Sequence, residues 1–175
     1  MTKKHNGEIA LWKFIYCLMI IALHIGATLN FKYGIFFNGG SIGVAFFFIV
    51  SGYLMSENAL SKIDVKNDEI GDVTISFLKK KAFKIIPYIL FAYIACLLYQ
   101  VIVNNFPIYK IINSIFEPLL ISQAGFRNSS VNYVTWYISA MFIDMLILYP
   151  IILKQKKNYY KIIAPLLVIL IGGYI

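Results

Sequence analysis

Charge is scarce in this sequence. Only 14% of its 175 residues are Asp, Glu, Lys or Arg, while 60% are hydrophobic and 17% aromatic, a balance that excludes an ordinary soluble globular domain. Cysteine is nearly absent too. Cys17 and Cys96 sit in separate apolar runs, where a lone cysteine behaves as a small hydrophobe, so neither a disulfide framework nor a cysteine-rich metal site is expected. With two histidines in the chain and no ligand spacing around them, no metal is expected. Neither a Ser/His/Asp order nor a glycine-rich phosphate loop is present, and there are no internal repeats or low-complexity segments. Acids are few as well, which leaves a net charge of +8. The basic residues fall in short clusters between apolar runs rather than along a polar, aromatic-interleaved surface, so no nucleic-acid partner is expected.

What the chain has in quantity is apolar runs of membrane-crossing length. The first, about Ile9 to Leu29, matches the ~20 residues that a helix needs to cross ~30 Å of hydrocarbon. It follows the basic start "MTKK", but it is too long for a signal peptide and shows no small-residue cleavage site, so it reads as a retained span. A second run is Gly39 to Ser56. The polar stretch after it, "ENALSKIDVKNDEIGDVTIS", reads as a loop with room for a short surface helix. A third run, Ile85 to Val103, is introduced by the lysines of "FLKKKAFK". The following "NNFPIYKIINSIFEPLLISQAGFRNSS" spreads charges and two prolines through its length, which suits an interfacial or re-entrant segment better than a full span. A fourth run is Trp136 to Leu153, and a fifth begins near Ile162. The expected fold is an all-α, multi-pass transmembrane helical bundle with about five spans, one membrane-embedded domain over residues 1–175, with the lipid bilayer as its first partner.

Basic residues orient the bundle. Of the sixteen Lys and Arg residues, only Lys32, Lys110 and Arg127 fall on one side, and the other thirteen fall on the opposite side. The positive-inside rule therefore predicts a cytoplasmic N-terminus in the cell membrane.

Two polar residues in the first run, "LWKFIYCLMIIALHIGATL", then acquire a geometry. Lys13 and His24 are eleven residues apart, which on a helix brings them within roughly 20° of one direction and about 16 Å apart along the axis. A histidine near mid-membrane is costly unless it faces a bundle interior or a polar cavity. As a neutral imidazole it could accept a proton as a general base, or it could hydrogen-bond a neighbouring helix and serve packing alone. Lys13 could serve the same site or snorkel to the interface.

Three further stretches carry chemistry. "GVAFFFIVSGYLM" sets Gly43, Ser51 and Gly52 among aromatics, as suits close helix packing or the approach of backbone to a ligand. "FLKKKAFKIIPYI" puts Lys81 and Lys84 on one helical face at the cytoplasmic boundary, where clustered cations could hold a phosphorylated ligand or only obey topology. "TWYISAMFIDM" supplies Trp136 at the outer interface and an intramembrane acid, Asp144, which could meet His24 or another helix's hydroxyl.

Taken in order, Lys13 and His24, "GVAFFFIVSGYLM", "KKKAFKIIPYI" and "WYISAMF" resemble the integral-membrane acyltransferase family 3, whose best-known members O-acetylate surface polysaccharides. The resemblance implies a membrane O-acyltransferase that takes an acyl group, acetyl most commonly, from cytoplasmic acyl-CoA and delivers it to a hydroxyl of a carbohydrate. Acyl-CoA is then a co-substrate, with no bound cofactor. His24 falls on the family's essential histidine. Lys13, Lys81 and Lys84 stand where family members usually carry arginines, and Ser51, Gly52, Trp136 and Asp144 are candidates for supporting roles. Lysine in place of arginine exchanges a planar fork for a point charge, which weakens bidentate recognition. The resemblance covers about the first half of such an enzyme, so the expected bundle is incomplete and the chain reads as truncated at its C-terminus. The competing expectation is half of a membrane transporter or flippase, which would move its substrate unmodified.

Overall fold

The computed structural model describes residues 7–28, 39–62, 65–104, 107–122, 131–132, 135–155, 158–159 and 161. Every regular element among them is a helix. In chain order these are α1 (Gly7–Thr28), α2 (Gly40–Leu60), α3 (Ile70–Asn104), the short α4 (Ile108–Asn113) running into a 3-10 turn (Ser114–Phe116), and α5 (Trp136–Lys154). Four of them, α1, α2, α3 and α5, are long and apolar enough to cross a membrane. These are the first four expected spans. The fifth, from Ile162, lies outside the described residues.

Two boundaries differ from the sequence reading. The polar stretch expected as a loop is shorter than it reads, because α2 continues to Leu60 and α3 begins at Ile70. Helix formation needs only satisfied backbone and acceptable propensity, and the charged side chains between those points reach water from a helix as well as from a loop. Consequently the third span is the later part of a 35-residue helix, about 52 Å long against ~30 Å of hydrocarbon. α3 also runs through Pro87, whose ring removes one backbone donor. The segment expected to be interfacial or re-entrant forms α4 and the 3-10 turn, too short to span.

The chain divides into two compact units, Met1–Leu54 and Met55–Ile175, with the boundary inside α2. In the first unit α1 meets α2 through glycine. A Cβ on Gly40 would stand 2.5 Å from Leu23 Cβ, and one on Gly43 would stand 3.0 Å from Ile20 and 3.2 Å from the Tyr16 carbonyl oxygen. Only hydrogen fits at Gly40, and at Gly43 a methyl would need its neighbours to give by a few tenths of an ångström. The contact is completed by Tyr16 stacked on Phe46 at 4.5 Å between centroids, a close helix pairing of the kind that small residues permit in lipid.

In the second unit α3 packs against α5. Met55 and Ala59 from the end of α2, with Met145, Tyr149, Ile152, Leu153 and Tyr159, form the main core, against which Val73, Phe77 and Leu78 of α3 pack. A smaller cluster joins Ile89, Leu120 and Phe142. Phe77 lies flat on Tyr149, with centroids 4.2 Å apart and planes within 2°, and the Tyr149 hydroxyl donates to Asn58 Oδ1 at 2.8 Å. One ring therefore ties the ends of α2 and α5 to α3.

Candidate functional site

In the first unit, the unbroken α1 gives Lys13 and His24 the shared face that their spacing requires. Both side chains are half-buried. His24 directly follows Leu23, the residue packed hardest against Gly40, so its backbone is held where α1 and α2 come closest. Ser51 and Gly52 are half-buried on α2. A Cβ on Gly52 would meet nothing within 4 Å, so the close approach belongs to Gly40 and Gly43, and the space beside Gly52 stays open.

In the second unit, the structure separates the two lysines that share a helical face. Lys84 is exposed. Lys81 is half-buried, with Nζ 3.5 Å from the Met145 sulfur and 5.1 Å from the centre of the Phe77 ring. Together with Phe77 on Tyr149, this contact sets an antiparallel register in which one turn of α3 matches one turn of α5. Met145 lies nine residues before Lys154, about 14 Å along the helix axis. The tip of the Lys81 side chain thus reaches a residue in the middle of α5. The soft sulfur and the negative face of the ring both make favourable contacts with the ammonium.

Trp136 opens α5 at its other end, 41% exposed, with Tyr137 set edge-on to it at 6.5 Å. Asp144 is on α5 as well, and its side chain is exposed.

The sequence reading missed a buried polar clasp beside Trp136. Glu117 is 3% exposed; its Oε1 accepts the backbone N–H of Val131 at 2.7 Å and its Oε2 that of Asn132 at 3.0 Å. Ser114, fully buried, donates to the Ile111 carbonyl at 2.8 Å, and its hydroxyl also bonds Tyr93 of α3 at 2.7 Å. From α5, Ser139 donates to the carbonyl of Leu120 at 3.0 Å, and Leu120 itself takes a left-handed backbone, with φ 61°. Each buried polar atom here is matched with a partner, as burial requires. The clasp pins the segment after α4 onto α3 and α5. The signal in the sequence was an acid followed by proline, "FEPLL", in an otherwise apolar neighbourhood.

Four helices long and apolar enough to cross a membrane mark the chain as a membrane protein. The acyltransferase domain model matches residues 6–175, and the chain belongs to that family, acyltransferase family 3. The match runs across both compact units. Comparison with curated proteins and with solved structures gives no match.

Proposed function

We propose that this chain serves as a membrane O-acyltransferase, moving an acyl group, acetyl as the family's commonest donor, from acyl-CoA to a hydroxyl of a carbohydrate such as a cell-surface polysaccharide. In this reading the N-terminus and the lysine-rich helix ends face the cytoplasm, where acyl-CoA is found. Lys13, Lys81 and Lys84 attract the donor's phosphates, and Ser51, Gly52, Trp136 and Asp144 take supporting roles. His24 accepts the proton of the attacking hydroxyl. The oxygen adds to the thioester carbonyl, the tetrahedral intermediate collapses, and the sulfur leaves, taking the proton from the imidazolium to give free CoA and the acyl ester. A positioned base of this kind contributes about 10²–10⁴-fold, with further gain from orientation and oxyanion stabilisation.

The observation that supports this reading most is the half-buried placement of Lys81. A lysine kept only for topology reaches for water, whereas the Lys81 ammonium is held 3.5 Å from the Met145 sulfur and 5.1 Å from the centre of the Phe77 ring. A phosphorylated donor would add charge-assisted hydrogen bonds to that ammonium. The experiment uses labelled acetyl-CoA with membranes that contain the protein and its host glycan. Label should pass to glycan with the wild-type chain, and His24→Gln should reduce transfer at least a hundredfold at unchanged protein level. Near-normal transfer by well-inserted His24→Gln protein would remove the histidine from the chemistry, and movement of unmodified substrate would favour a transporter instead.

A further inference from the structure

Depth in the second unit can be measured along α3. The helix has 35 residues, about 52 Å against ~30 Å of hydrocarbon, so only part of it lies in the bilayer. Lys79, Lys80 and Lys84 are exposed, and an ammonium facing hydrocarbon is costly. The turns before Ile85 therefore stand at the boundary or beyond it. From Ile85 to Val103 the sequence is apolar, and Phe91, Ile94, Leu98 and Ile102 are exposed along it. That stretch, about 28 Å long, is the part that matches the hydrocarbon.

Against this scale the segment after α3 descends steeply. The Ser114 hydroxyl bonds that of Tyr93 at 2.7 Å, and Tyr93 lies about 16 Å back from Asn104, where α3 ends. Helical side chains lean toward the N-terminus of their helix, so the bond sits level with Tyr93 or below it. Leu120 then packs with Ile89 and Phe142, a further turn down. The exposed side chains of the segment include Ile108, Ile112, Ile115 and Leu119, none of which calls for water. Glu117 keeps two backbone donors on its carboxylate, as an acid at depth requires. Lys110 comes before the chain reaches Tyr93, and a side chain of that length can snorkel back to the surface.

α5 starts where the descent stops. Ser139, in its first turn, donates to the Leu120 carbonyl at 3.0 Å. Farther along, Met145 meets Lys81 and Tyr149 meets Phe77, so the second half of α5 runs beside the lysine-bearing turns of α3. Between the Ile89–Phe142 and Lys81–Met145 contacts, this register sets Asp144 beside the turn that carries Lys84. There an exposed carboxylate is at the membrane boundary, where water reaches it.

We propose that the crossing which returns from Asn104 is discontinuous: residues 107–122 supply the part nearer Asn104, α5 supplies the rest, and the clasp of Ser114, Glu117 and Ser139 lies inside the membrane where the two meet. Non-helical backbone is tolerated at that depth only where its polar groups are satisfied by protein or water, and the clasp satisfies them. Such breaks are where membrane proteins gather polar groups near the midplane. A carboxylate and two hydroxyls are gathered at this one. The assignment does not rest on the acyl-transfer reading.

The test uses the full chain in lipid vesicles, with Cys17 and Cys96 replaced and one cysteine introduced at a time. Asp144 and Ile115 are both exposed, so substitution there leaves the packing intact. Asp144→Cys should react with an impermeant maleimide from the same side as Lys84→Cys and at a similar rate. A spin label on Ile115→Cys should report the same depth as one on Ile94→Cys, read from its collisions with oxygen against those with a water-soluble nickel chelate. If α5 crosses alone, Asp144→Cys is in mid-membrane and reacts from neither side, while the Ile115 label sits at the surface. Either of those two results would overturn the proposal.

Discussion

The ammonium nitrogen of Lys81 stands 3.5 Å from the sulfur of Met145, one turn along α3 from the point where Phe77 stacks on Tyr149. These two contacts fix how α3 and α5 slide past each other. A change to the aromatic contact should therefore be felt at the lysine. Tyr149→Phe keeps the stack but removes the hydroxyl that bonds Asn58, and it should cost about 1 kcal/mol. Tyr149→Ala also empties a fully buried site and should cost about 3–5 kcal/mol. Denaturant titration of the protein in micelles measures both, and equal losses for the two variants would show that the stack contributes nothing.

The glycines of the first unit give an internally controlled comparison. Gly40→Ala forces a methyl to within 2.5 Å of Leu23, so overpacking should cost about 1–3 kcal/mol. Gly52→Ala meets open space and should be neutral or stabilise by up to about 1 kcal/mol through helix propensity. The same titration checks the pair, and a reversed order would mean that Gly40 is not where the helices meet.

How much of this was legible in the sequence follows from what each feature depends on. The spans were legible because length and hydropathy are local, and four runs reappear as α1, α2, α3 and α5. Glycine at the α1–α2 contact was half legible. "GVAFF" singled out Gly43, but only the packing of Leu23 identifies Gly40, and only open space separates Gly52 from both. The contact of Lys81 with Met145 was not legible, because it depends on the register between α3 and α5, which a stack of Phe77 on Tyr149 sets across 72 residues of chain. The Glu117 clasp was hidden for a similar reason, since its partners Val131 and Asn132 offer backbone N–H groups that no residue type announces.

That clasp yields its own prediction. Glu117→Ala leaves two backbone donors without their acceptor and should cost about 1.5–3 kcal/mol, the value of charged hydrogen bonds. Exchange of the Val131 and Asn132 amides with deuterium should rise in the variant while the α3 amides near Phe77 stay protected. Uniform loss of protection throughout the unit would show that Glu117 supports the whole fold rather than its local loop.

Orientation is testable by labelling. With the two native cysteines replaced, a cysteine at Lys66, which is exposed between α2 and α3, should react with an impermeant maleimide only from the cytoplasmic side. One at Tyr109, exposed on α4, should react only from outside. The opposite pattern would reverse the topology and detach the lysines from the cytoplasmic donor.

The two lysines of α3 separate the donor reading from the topological one. If both meet acyl-CoA phosphates, Lys81→Gln and Lys84→Gln should each raise the KM for acyl-CoA while changing kcat little, because ground-state contacts to a distant phosphate persist in the transition state. Their environments predict unequal effects. Lys84 is exposed, and water screens its attraction to a phosphate. Lys81 is half-buried against Met145 and Phe77, where a charge interaction is less screened. Lys81→Gln should therefore raise KM severalfold more than Lys84→Gln, and raising the salt concentration should mimic the Lys84 substitution while leaving most of the Lys81 contribution in place. Lys81→Arg is the informative control: it keeps the charge but must fit a larger, planar group between ring and sulfur, so its KM should stay much closer to wild type than that of Lys81→Gln. A KM that is unchanged in both Gln variants, measured at matched protein level, would return these lysines to a purely topological role.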